Sequence, residues 1–149
     1  MTPEEVLADL VAVIKEHGWC VRHVAPRRGD EGVPFAYTIG LSAMNHAEIV
    51  VTGLPQKVAH AFLNLIGEEV RSGRIFRPET IVYDLTEDEA PIAFLEVADT
   101  SELTAIEQVY GSIRALQLVW CDSAGHLPWD DAFANDPQVQ PLLGTRGRL

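Results

Sequence analysis

A chain of 149 residues, 47% apolar and 22% charged, has the size and make-up of one globular domain, and it can bury a core without a covalent staple. Its two cysteines therefore do not imply a disulfide framework, and no apolar run approaches the roughly 20 residues that a membrane-spanning helix needs. A balance of 11 basic against 22 acidic residues, formally −11, argues against a nucleic-acid ligand, because phosphate binding draws most of its affinity from a basic face.

The N-terminal MTPEEVLADL carries acids where a secretory signal carries basic residues, so a cytoplasmic protein is expected. Thr2, Pro3 and Glu5 supply an N-cap, a proline for the first helical position and a capping-box glutamate. Val6, Leu7, Leu10, Val11 and Ile14 follow at helical spacing, and Gly18 is a natural stop. A strand over 19–24 leads into the polar loop APRRGDEGVP, expected to be mobile. Strands at 35–41 (FAYTIGL) and 48–52 (EIVVT) are close enough to form an antiparallel hairpin. A second helix opens at Gly53-Leu54-Pro55, with Val58, Phe62, Leu65, Ile66 and Val70 on its apolar side and Gly73 past its end.

Further strands are expected at 81–85 and 92–97. A third helix, capped by Asp99-Thr100-Ser101-Glu102, carries Leu103, Ile106, Val109, Tyr110 and Ile113. A last strand over 116–120 ends in the turn Asp122-Ser123-Ala124-Gly125, and residues 130–149 read as an irregular tail. The order α-β-β-β-α-β-β-α-β does not alternate as a doubly wound sheet does. The expectation is a single α+β domain over residues 1–149, with three helices and a largely antiparallel sheet of about five to six strands.

The stretch FAYTIGL, then His46-Ala47-Glu48 with VVTGLP, then ALQLVW, the Asp-x-x-Gly turn with LPW, and finally QPLL resembles a family of bacterial domains. It is the family catalogued as domain of unknown function number 4262, and the resemblance runs from about Gly18 to Leu143. It implies one compact domain of bacterial or phage origin. No established activity comes with it.

His46 and Glu48 form the sharpest chemical pair. Two apart at a strand start, they share a face, and a carboxylate beside an imidazole suits a general base or an oriented metal ligand. The H-x-E spelling occurs in zinc deaminases, but the P-C-x-x-C that completes their zinc site is absent. Cys20, His23, Cys121 and His126 are zinc-type ligands at loose spacing, so no metal is expected. Gly40-Leu41-Ser42-Ala43-Met44 lacks the second glycine of a nucleophile elbow, and GLPQKVAH is no phosphate loop. Residues 38–41 and 49–52 match flavin-holding barrels in pattern alone, so no cofactor is expected either.

Trp120 and Trp129 flank the Asp122 turn, and Gln117 is a polar amide inside an apolar strand that needs a partner. With Tyr37, His46 and Glu48 these residues are the candidate pocket: Tyr37, Gln117, Trp120 and Trp129 for binding, His46, Glu48 and Asp122 for catalysis. Two readings follow. One is a binding module for a small polar ligand or a protein partner, with a homodimer among the arrangements open to it and neither nucleic acid nor membrane involved. The other is a small hydrolase using His46 as general base, oriented by Glu48 or Asp122.

Overall fold

A computed structural model describes residues 2–26 and 32–149. The centre of the expected mobile loop, residues 27–31, lies outside the described residues. Helix α1 (Pro3–His17) starts on the capping box read from the sequence: Glu5 N–H donates to Thr2 Oγ1 at 3.2 Å and Thr2 N–H to Glu5 Oε2 at 3.1 Å. It stops at Gly18, whose φ of 106° few other residues tolerate.

The strands are β1 (Cys20–Val24), β2 (Phe35–Ile39), β3 (Glu48–Thr52), β4 (Thr80–Val82), β5 (Ile92–Glu96) and β6 (Ala115–Val119). They form one sheet in the order β1-β2-β3-β6-β5-β4. Each half is an antiparallel meander, and the halves meet at a parallel pair, Glu48 beside Ala115 and Val50 beside Gln117. The expected hairpin of β2 and β3 is present, turned by a 3-10 segment over Leu41–Met44. Helix α2 (Gln56–Arg71) carries the chain from the middle of the sheet toward its far edge, and α3 (Thr104–Tyr110) lies between β5 and β6 in sequence. Among the described residues no helix is long and apolar enough to cross a membrane.

Both faces of the sheet are covered, which is why β5 and β6 read as nearly unbroken apolar runs rather than alternating ones. Helix α2 packs on one face, over Ala36, Ile49, Val51, Phe94, Leu116 and Leu118. On the other, α1 and α3 cover Tyr37, Ile39, Val50 and Ala115, while Ala93, Leu95 and Val119 meet Leu127, Trp129 and Leu149.

The buried side of α2 agrees with the expectation at Ile66 and Val70 and differs elsewhere. Ala59, Leu63, Ile66, Gly67 and Val70 face the sheet, whereas Val58 is 42% exposed and Phe62 and Leu65 are half-buried. Trp19 explains the rotation. Its indole lies so close under Gly67 that a Cβ there would overlap the ring, and its Nε1–H donates to Asn64 Oδ1 at 2.9 Å. Helix α3 also begins later than expected. Ser101 N–H bonds Asp99 Oδ1 in a turn, and the helix starts only at Thr104.

Candidate ligand-binding site

Glu48 opens β3 with no exposed surface, so its carboxylate needs compensation from protein. The end of β2 and the turn that follows it supply five donors. Oε1 accepts from Thr38 Oγ1 at 2.9 Å and Leu41 N–H at 3.0 Å; Oε2 accepts from Gly40 N–H and Ser42 N–H at 3.0 Å and from Ser42 Oγ at 2.6 Å. Gly40 is needed here, since its φ is 140° and a Cβ would overlap the Trp19 backbone. The carboxylate is thus a peg that holds the turn and has no capacity left to orient His46.

His46 is also spent on the fold. Phe76 N–H donates to its Nε2 at 3.0 Å, so that nitrogen is an acceptor. Nδ1 then carries the proton and donates to the Ala47 carbonyl at 2.7 Å. The ring is 8% exposed and meets the Phe76 ring edge-on. It ties the segment after α2 to the start of β3 and offers no free nitrogen to a substrate.

Asp122 does not reach His46 either. Its Oδ1 accepts from Ala124 N–H at 3.0 Å and His126 N–H at 2.8 Å, and its Oδ2 from Ala134 N–H at 2.8 Å. These backbone donors, Ala134 and His126 foremost, hold its carboxyl below the usual aspartate range. The imidazole beside it belongs to His126, with Nδ1 3.4 Å from Oδ2. Burial pushes the neighbouring Cys121 thiol up, away from the thiolate that nucleophilic chemistry requires. Among the described residues no three His, Cys, Asp or Glu side chains are arranged to hold a metal ion.

The two tryptophans do not form one wall. Trp120 packs against the α2 core and donates from Nε1 to the Thr52 carbonyl at 2.9 Å, whereas Trp129 packs in the cluster on the opposite face. Tyr37 is 1% exposed beneath α3, its hydroxyl oxygen accepting from Ala105 N–H at 3.3 Å, and burial raises its pKa. The arginines of the α2 end are engaged internally: Arg71 lies over the Trp19 ring at 4.5 Å and Arg74 pairs with Asp84 at 2.7 Å.

Gln117 has the partners that the sequence demanded, and they come from the tail. Its Nε2 donates to Thr52 Oγ1 at 3.2 Å and to the Pro141 carbonyl at 2.9 Å, while its Oε1 accepts from Leu143 N–H at 2.8 Å. Gln140, 2% exposed, pairs with both backbone groups of Trp120. Ala98 N–H donates to the Leu143 carbonyl at 2.9 Å. A Cβ on Gly53 would overlap the Val139 carbonyl and one on Gly144 that of Glu96, so both positions accept only glycine's bulk. The tail has no regular structure beyond the 3-10 turn Pro137–Val139, yet it is hydrogen-bonded across the sheet as a strap.

The strap closes one side of a cleft of about 580 Å³ that the sequence did not reveal. Val24, Pro26, Val33 and Phe35 come from the β1 and β2 ends, Thr52 from β3, residues 99 and 101–104 from the loop into α3, and Pro141 and Leu143 from the strap. Its walls are mainly apolar; Asp99 and Glu102 bring two exposed carboxylates, and no lysine or arginine is among the described lining residues. Of the candidate residues, none lines it, although Gln117 bonds three that do. The available signal was the pair of polar residues, Thr52 at the end of β3 and Gln117 within the otherwise apolar β6.

No curated protein and no solved structure matches the chain. One family model does, over residues 13–134, which cover the whole sheet and all of α2 and α3. On that match the chain belongs to the family described as domain of unknown function DUF4262.

Proposed function

We propose that this domain is a binding module whose ligand is a small organic molecule with an apolar body and a positively charged head, taken up in the cleft between β1, β2, the loop before α3 and the strap. The observation that supports this reading is the composition of that cleft. Its roughly 580 Å³ falls in the range of small-molecule sites, its walls are mainly apolar, and Asp99 and Glu102 supply the charge. The overall charge of −11 favours a cationic ligand in the same sense and raises its encounter rate at low salt. The bonding of both His46 ring nitrogens within the fold favours this reading over a hydrolase that uses His46 as general base.

The test is a titration with a panel of primary alkyl- and arylalkylamines, phenethylamine among them, followed by amide chemical shifts. Saturable shifts at Val24, Phe35 and Leu103 are expected, with weaker binding of phenethyl alcohol. Thr104→Trp, at an exposed lining position, is expected to abolish them. A panel without saturable shifts at the cleft overturns the reading.

A further inference from the structure

We infer that Gln117 is a positioning residue for the cleft, acting through the C-terminal strap, so that ligand binding and strap docking are one coupled equilibrium. The inference rests on the cleft reading above and specifies how that site is regulated. Gln117 has no exposed surface and lines no part of the cleft. Yet all three of its hydrogen-bond partners do: Thr52 from the sheet, and Pro141 and Leu143 from the strap.

The chemistry of an amide suits this task. One NH₂ group reaches an acceptor on the sheet and an acceptor on the strap, and the carbonyl takes the strap N–H two residues further on. The Thr52 hydroxyl closes the ring by donating to the same Pro141 carbonyl at 2.9 Å. The strap backbone is therefore read at both a C=O and an N–H, which fixes its register as well as its presence. The same two residues present Pro141 and Leu143 to the cleft. Undocking the strap removes one wall, and a ligand that touches this wall binds the docked state better. Differential affinity of this kind shifts the strap equilibrium, and linkage makes the effect reciprocal.

The experiment compares full-length wild type with Gln117→Met, which keeps the side-chain length and removes the amide. Amine affinity and hydrogen exchange at Leu143 N–H are measured in both, with sheet amides in β5 and β6 as internal reference. In the wild type, saturating phenethylamine, or the tightest amine of the panel, is expected to slow exchange at Leu143 at least tenfold and to leave the reference amides unchanged. Gln117→Met is expected to bind at least tenfold more weakly and to exchange faster at Leu143 and at Ala98, whose N–H bonds the Leu143 carbonyl, with the reference amides unchanged. A wild type that binds no amine overturns the cleft reading and this inference with it. A wild type that binds, with Gln117→Met binding equally well, overturns only the coupling. Where Gln117→Met does not fold, the wild type decides the matter: Leu143 exchange unchanged at saturation overturns the inference.

Discussion

Glu48 and Gln117 stand on adjacent parallel strands, both without exposed surface, both fully hydrogen-bonded, and they do opposite work. Glu48 takes its donors from Thr38 and residues 40–42, within ten positions along the chain. Gln117 bonds Thr52, Pro141 and Leu143, respectively 65, 24 and 26 positions away. The first knot is local and charged, so the turn cannot open without leaving a buried carboxylate and three backbone N–H groups unpaired. The second is remote and neutral, and in the proposed coupling its strap side releases into water while the sheet stays intact. A buried polar residue that serves its own turn is a structural peg; one that reaches across the chain can govern a site.

The comparison is broken most directly at Glu48. Glu48→Ala strands three backbone donors, each costing about 1–3 kcal/mol, so a loss of about 3 kcal/mol or more is expected in urea unfolding. Gln117→Met is expected to cost about 1–2 kcal/mol on the same scale, because the strap groups find water instead. Equal losses would erase the distinction drawn here. His46→Ala falls between them at about 2–4 kcal/mol, since it removes a buried ring and the partners of Phe76 N–H and the Ala47 carbonyl. An unchanged melting temperature in that variant would return His46 to the functional candidates.

The smallest effect is sharpened by pH. Donation from Ala134 and His126 depresses the Asp122 carboxyl in the fold, so on acidification the unfolded chain takes up this proton first. The stability it contributes is complete above the ordinary aspartate value of about 3.9 and is lost as the pH falls from there through the lower folded-state value. Asp122→Asn is expected to flatten this acid limb in melting temperatures recorded between about pH 2 and 6. A limb of unchanged slope would assign the acid sensitivity to other carboxylates.

What the sequence disclosed follows from how local each signal is. The Thr2–Glu5 box and Gly18 bound α1 because capping involves neighbours in the chain. The buried side of α2 is legible at Ile66 and Val70 but not at Ala59, Leu63 and Gly67, because pattern reasoning favours large residues whereas Trp19 requires a small one at Gly67. The Asp99 to Glu102 stretch imitates a helix cap and instead forms a turn within the cleft wall. The parallel β3–β6 contact joins the two meanders from opposite halves of the chain and leaves no local mark. Glu48 looked chemical since a carboxylate at the head of an apolar strand is conspicuous, while the N–H groups that occupy it belong to every residue alike. The cleft is assembled from five separated segments without a motif, and the polar pair Thr52 and Gln117 is the sequence signal that something lies across these strands.

The three indoles sit on three different seams: Trp19 between α2 and the sheet, Trp120 beside Gly53 and the strap, Trp129 in the cluster on the far face. This distribution gives the molecule separable optical channels. With Trp19 and Trp129 replaced by Phe, all tryptophan emission comes from the ring whose own backbone is clamped by Gln140. Its colour then reports how wet the strap seam is, and a single spectrum follows the proposed undocking of the strap while the rest stays dark.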